Sequence, residues 1–325
     1  MKIILKPSFT ILELVIVMTI AGIMIGSTFQ MLMNIYKSYS YMYDMNSLDL
    51  ELSNASMKIV KYLDNRVAGS VIDSNDTNIT ILSGNYNLDN NRTIQWIGKA
   101  FDSYNGTWNS SKKRIISNWS GVIDLNKEHN KTLLYIDSNI SLGLGVSGFD
   151  TNISQAREII YLLSDTKVDI FDSSSNSPPA IFFKGGTGNS IDGFGWKYSI
   201  LKEKNSSKYA FIGYFDENIS DNRFLSINQT KGFEQNVKDL QLYEQYNLSW
   251  TAYGLKVEED RNLSLYYNYR PWNGENMEKN GTKITLLRNV TKFNYGSNGS
   301  TIRLEICIKD DKNQDIVFCR ESLIY

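Results

Sequence analysis

The sequence predicts an α+β protein, one long N-terminal helix followed by a β-rich head, and three observations carry that reading. Residues 9–33 form an apolar run in which Glu13 is the only ionisable side chain. Apolar residues then recur at helical spacing as far as about Arg66. From Val71 onward the period changes to two, with turn residues between short runs.

The apolar run comes first. About 25 helical residues rise about 37 Å, enough to cross a hydrocarbon core of about 30 Å. A carboxylate inside such a run is expensive, so Glu13 reads as functional. Lys2 and Lys6 precede the run and no Lys or Arg follows until Lys37, which holds the N-terminus in the cytoplasm and sends the remainder across the membrane. The bland alternative is a signal anchor with an incidental Glu. A cleaved secretory signal would have a shorter apolar core and a small-x-small exit site.

Beyond the span, Met33, Tyr36, Tyr39, Tyr43, Leu48, Leu52, Ile59, Val60 and Leu63 recur at spacings near three and four, with Asp44, Asp49, Glu51, Lys58 and Lys61 between them. One helix from Phe9 to about Arg66 would be about 87 Å long. Residues 34–67 are its amphipathic half, and Ala68-Gly69-Ser70 reads as the stop. A coiled-coil arm would need a steadier heptad over more repeats.

Strands are expected at Asn78–Leu82, Thr93–Ile97, Leu133–Asp137, Glu158–Leu163, Phe194–Leu201, Tyr209–Phe215, Leu248–Val257, Leu263–Tyr269, Ile284–Leu287, Val290–Tyr295, Ile302–Lys309 and Ile316–Ile324. Only Lys231–Leu242 hints at a second helix. Residues 85–91 and 172–179 read as exposed loops. Residues 68–325 therefore form a β-rich head of more than 250 residues, large enough for a core of its own.

The order of residues around Lys6-Pro7-Ser8-Phe9-Thr10-Ile11-Leu12-Glu13 resembles the type IV pilin and type II secretion pseudopilin family. The resemblance implies a prepilin leader of residues 1–8, peptidase cleavage between Ser8 and Phe9, methylation of the Phe9 amine, and a filament in which Glu13 faces that amine on a neighbouring subunit. Opposite charges attract strongly in low dielectric and a lone buried charge is penalised, so such a pair specifies register. Gly22 stands where many members carry Gly. Ser8 replaces the usual Gly before the cut, and Gln30 stands where major subunits carry Pro, which implies a minor subunit. Leu286-Leu287-Arg288-Asn289-Val290 and the strands after it are similar to the end of the large minor subunits of the J and W types. The fold implied is the pilin-like one, with a transmembrane first half of the helix.

Cys307 and Cys319 are the only cysteines. A hairpin folding about Asn313 sets them directly opposite one another, within disulfide reach in an oxidising compartment. The alternative is two buried free thiols.

Other candidate chemistry is weak. Lys plus Arg number 34 against 35 Asp plus Glu, so no bulk charge favours nucleic acid. His129 lies in a polar run and reads as a loop residue. Gly185-Gly186-Thr187-Gly188 lacks the Lys of a phosphate loop. Asp311, Asn313 and Asp315 alternate like calcium ligands, but Ile316 stands where Gly is required. Lys112-Lys113-Arg114 reads as a solvated turn, and the six Trp residues as core. No cofactor or metal is implied.

Asn-x-Ser/Thr is the second informative signal. Eighteen of the 34 Asn occur in it, against roughly five or six expected from the Ser plus Thr content. In ten, an acidic residue stands two places earlier: Asn75, Asn78, Asn91, Asn130, Asn139, Asn152, Asn205, Asn218, Asn262 and Asn280. This resembles the acceptor sequon of bacterial oligosaccharyltransferases, with Asn75, Asn91 and Asn205 expected as the best acceptors. Asn54, Asn118 and Asn289 lack the acidic residue.

The reading is a minor pilin or pseudopilin, single-pass in a bacterial inner membrane with its head in the periplasm, that initiates or caps a filament. Its expected partners are the prepilin peptidase, other major and minor subunits, the inner-membrane assembly platform and an oligosaccharyltransferase. A tip adhesin or DNA-capturing pilin is the first alternative, and a membrane-anchored enzyme the second. No nucleophile, base and orienter occur at a recognisable spacing, so the chain is read as no enzyme.

Overall fold

The computed structural model describes residues 10–75, 78–82, 92–111, 113–119, 121–122, 133–135, 153–172, 178–184, 194–196, 210–215, 223–226, 245–310 and 316–325. Ser8 and Phe9 lie outside them.

Helix α1 runs Ile11–Asp64, 54 residues, about 81 Å by its rise. It begins at a capping box: Thr10 Oγ1 accepts the Glu13 amide (3.4 Å) and Glu13 Oε2 accepts the Thr10 amide (3.0 Å). Nothing in the following residues breaks it, because no Pro occurs between Ile11 and Asp64. The hydroxyls inside the apolar part turn back onto the helix, Thr19 onto Ile16 O and Ser27 and Thr28 onto Met24 O, so each is paired within the helix itself. The helix ends at Asn65, whose amide donates to Lys61 O, and Arg66 donates from one guanidinium nitrogen to Leu63 O and from the other to Ser300 O. The stop thus precedes Ala68-Gly69-Ser70 by three residues, where side chains satisfy the last carbonyls.

Burial along α1 starts late. Leu52, Ala55, Ser56, Ile59 and Leu63 form one face sunk in the core, while Met33, Tyr36, Tyr39 and Tyr43 are exposed. The expected stripe is therefore divided: its last three turns pack on the head, and its first part stands clear of it.

The head is built from antiparallel strands. A six-stranded sheet has the order β13-β12-β11-β3-β1-β2, with β1 Ile72–Ser74, β2 Ile79–Ile81, β3 Thr93–Ile97, β11 Ala252–Val257, β12 Leu263–Tyr269 and β13 Thr282–Leu287. A five-stranded sheet has the order β10-β7-β8-β9-β6, with β6 Leu133–Tyr135, β7 Ala180–Phe183, β8 Ala210–Phe215, β9 Arg223–Ser226 and β10 Tyr246–Ser249. β4 (Thr107–Asn109) and β5 (Arg114–Ile116) make a hairpin. β14 (Val290–Asn298), β15 (Thr301–Lys309) and β16 (Val317–Ile324) close the chain as a three-stranded sheet.

This last sheet receives α1. Ile302, Leu304, Ile306 and Ile308 alternate onto the core side of β15 and, with Ile324, meet Leu52, Ile59 and Leu63. Burying each of those three helix side chains contributes about 1.5–3 kcal/mol. Trp96 Nε1 donates to Tyr62 O (3.2 Å), and Arg320 Nη2 reaches Asp49 Oδ1 (3.1 Å) from the same side of β16.

Several strand expectations need correction. Glu158–Leu163 is not a strand but the end of helix α3 (Ile153–Leu163), whose buried Ala156 and Ile160 are four apart. Arg157 closes a bidentate pair with Asp169 beneath it. Phe194–Trp196 forms a turn, the described part of the expected strand 194–201. Leu248–Val257 is divided into β10 and β11, because Trp250 and Thr251 carry the chain from one sheet to the other. The short helices α2 (Phe101–Tyr104) and α4 (Met277–Asn280) were not expected. Residues 231–242, proposed as a helix, lie outside the described set. Five of the six Trp are buried, as expected; Trp108 is the exception at 63% exposed.

Candidate functional site

The sequence directs attention to the start of α1. Thr10 has extended backbone torsions, which frees its hydroxyl to cap the helix while its own amide turns to Glu13. Glu13 Oε2 also accepts the Thr10 hydroxyl at 3.0 Å, so one carboxylate oxygen holds both donors of one residue. The placement is electrostatically favourable, because the unpaired amides of a helix start carry partial positive charge. Oε1 has no partner among the described residues. The sequence signal of this cap is the Thr-x-x-Glu spacing, which stands at the edge of the more conspicuous apolar run.

From Ile11 to Glu51 no residue of α1 is buried. The first half is long and apolar enough to cross a membrane. The next turns add Tyr36, Tyr39, Tyr41, Met42 and Tyr43, all exposed. A helix with large apolar side chains on every side needs cover from lipid or from other protein.

At the other end of the chain, Cys307 and Cys319 are bonded (S–S 2.08 Å) and sit opposite each other in the β15–β16 register. The bridge lies on the face of the sheet turned away from α1, where Arg303 pairs with Glu321 and Lys292 with Glu305. The calcium-like Asp311, Asn313 and Asp315 lie outside the described residues.

Of the Asn in the ten acid-preceded sequons, four lie among the described residues. Asn78 and Asn280 are exposed and Asn75 and Asn262 half-buried. The acid upstream of Asn75, Asp73, is buried, accepts the Tyr295 hydroxyl at 2.6 Å and lies 3.3 Å from Arg92. Asn91, Asn130, Asn139, Asn152, Asn205 and Asn218 lie outside the described residues. Of the sequons without an upstream acid, Asn118 and Asn247 are in the core, and Asn54 is exposed on α1.

A cleft of about 380 Å³ beside β1 is lined by Gln95, Trp196, Tyr269, Glu275, Glu278 and Lys279. Its carboxylates are engaged, Glu275 by the buried guanidinium of Arg270 and Glu278 by Lys256. Among the described residues no group of three His, Cys, Asp or Glu side chains converges as a metal site would. Comparison of the chain with protein-family models, with curated proteins and with solved structures returns no match.

Proposed function

We propose that this chain is a minor subunit of a type IV pilus-like or type II secretion filament, held in a bacterial inner membrane by α1 with its head on the periplasmic side. It acts by assembly, not by catalysis. The observation that supports this most is the exposed length of α1, predominantly apolar through Met33 with Glu13 its only ionisable side chain, and aromatic-rich through Tyr43. Lipid suits the first stretch, whereas the tyrosine-rich turns just beyond it call for neighbouring helices.

Glu13 is the recognition element. Phe9 directly precedes Thr10, so cleavage after Ser8 frees an amine one residue from the capping contact. Oε1 remains open to a second donor, the amine of an adjacent subunit. Pairing there removes a charge from an apolar environment and fixes the stagger of the helices. The prepilin peptidase, sister subunits and the assembly platform are the partners this requires.

Mass spectrometry of the mature N-terminus tests the reading. A peptide beginning at Phe9, with one added methyl, is expected; assembled protein that retains Met1 refutes it. The adhesive or DNA-capturing alternative draws on one observation. On the β4–β5 hairpin, Trp108 (63% exposed) stands opposite Ile115 (68%), beside Lys113 and Arg114. Loss of surface adhesion or DNA uptake in Trp108→Ala, with assembly intact, would favour that alternative.

A further inference from the structure

We infer that Asn280 is an acceptor site for N-linked glycan transfer in the folded protein, and that its substrate is a lipid-linked oligosaccharyl diphosphate. The sequon excess marks candidate sites but does not say which of them the fold presents. The structure separates them.

Glu278, Lys279, Asn280 and Thr282 are all exposed, and Gly281 between them is half-exposed. The segment passes from the last turn of α4 into the first residue of β13, the outermost strand of its sheet. A glycosyltransferase therefore meets the acid, the amide and the hydroxyl together, with no core strand to pull out. Asn280 Oδ1 accepts the Asn276 amide at 2.8 Å, while Asn276 Oδ1 caps Glu278 and Lys279 in return. Only the carbonyl side of Asn280 is engaged, and its Nδ2 has no partner among the described residues. Adding a sugar to Nδ2 leaves the cap intact.

Asn262 makes the contrast. Its Nδ2 donates to Asp260 Oδ2 at 2.7 Å, so its own upstream acid occupies the reacting nitrogen. Leu263 and Ser264, the rest of the sequon, are wholly buried in β12 between β11 and β13. Asn75 is blocked differently, since Asp73 is engaged by Tyr295 and Arg92. Glu278, by comparison, meets Lys256 in a surface pair that an incoming cation displaces at little cost.

The step balances simply. Asn280 Nδ2 attacks the anomeric carbon, an N–C bond forms, and the C–O bond to the diphosphate breaks with its electron pair leaving on the lipid diphosphate. One Nδ2 proton passes to a transferase carboxylate and then to solvent. In cells the transfer rests on the periplasmic placement proposed above; in a reconstituted reaction it does not.

The test incubates the full chain, in detergent micelles, with a purified bacterial oligosaccharyltransferase and a lipid-linked oligosaccharide, followed by glycopeptide mapping. A free peptide spanning residues 276–284 serves as the unfolded control. Native protein should carry glycan at Asn280 and none at Asn262, and heat-unfolded protein should gain it at Asn262. Asn280→Gln should abolish the Asn280 glycopeptide, and Glu278→Gln should slow its formation by roughly tenfold, as loss of a charge-assisted contact does. An Asn280 left bare in native protein while the peptide is modified overturns the inference. So does equal modification of Asn262 and Asn280 before unfolding, or an unchanged rate in Glu278→Gln.

Discussion

Replacing both cysteines, Cys307→Ala with Cys319→Ala, should lower the stability of the head by about 3 kcal/mol without changing its fold. The two residues are 12 apart in sequence. On the loop-entropy model, a loop of about a dozen residues costs the unfolded chain roughly 9.5 cal/mol/K, which is about 2.8 kcal/mol at room temperature. Little else should change, because the bridge sits on the outer face of the β15–β16 pair and the core side chains Ile306 and Ile308 remain in place. All six Trp lie in the head, so tryptophan fluorescence during urea titration of the detergent-solubilised chain reports this transition alone. The variant and the reduced wild type should unfold at the same, lower urea concentration than the oxidised wild type. Coincident midpoints for all three would refute the reasoning, and so would a variant already unfolded without urea.

Glu13→Val should leave membrane insertion intact, since the span becomes more apolar, while incorporation into filaments falls; normal incorporation by immunoblot of sheared filaments would exclude the docking role. Ile59→Ala, at a wholly buried position on the packed face of α1, should cost about 2–5 kcal/mol by the same titration. Tyr39→Ala, on the exposed part, should shift stability by no more than about 0.5 kcal/mol and weaken co-purification with sister subunits instead. Acid should weaken the head: the hydrogen bond from Lys292 holds the Glu305 carboxyl below its ordinary value of 4.5, and Lys283 and Tyr266 hold Glu258 below its own against the opposing effect of burial. Both groups bind protons more readily unfolded, so their contribution is full above about pH 4.5 and is lost as pH falls through the lowered values. Urea midpoints measured across that range should fall on acidification; a rise would contradict the assignment.

Much of this architecture was legible before the structure. Thr93–Ile97 and Leu263–Tyr269 coincide with β3 and β12, because β-branched and aromatic residues there lie between clear turn signals. The opposed cysteines followed from counting outward from one turn. What failed had physical causes. Ile159-Ile160-Tyr161-Leu162-Leu163 is a short apolar run that periodicity cannot assign, and the helix was decided by Ala156 and Ile160 packing on one side. β1, β4, β5, β7 and β9 span only three or four residues and leave no alternation to read. At the proposed assembly site, Glu13 stood out because a carboxylate in an apolar run is rare, whereas Thr10 looked ordinary until its hydroxyl and amide were seen to share that carboxylate. The point at which α1 joins the head could not be read at all, since Tyr43 and Leu52 belong to one continuous stripe and only the tertiary contacts distinguish them.

The way α1 meets the head has a mechanical consequence. A pull along the helix enters the head through the three turns from Leu52 to Leu63, the Asp49–Arg320 pair and the Arg66 contact with Ser300, so the load falls first on β15 and β16. Those two strands are the pair that the disulfide welds. Peeling β16 from its neighbour cannot pass Cys319, and the segment between the sulfurs, whose ends are 12 apart in sequence and about 40 Å apart when drawn out straight, stays out of the extensible length. The covalent bond therefore stands on the strand pair where tension along α1 would arrive, making the β15–β16 hairpin an inextensible coupling between helix and head.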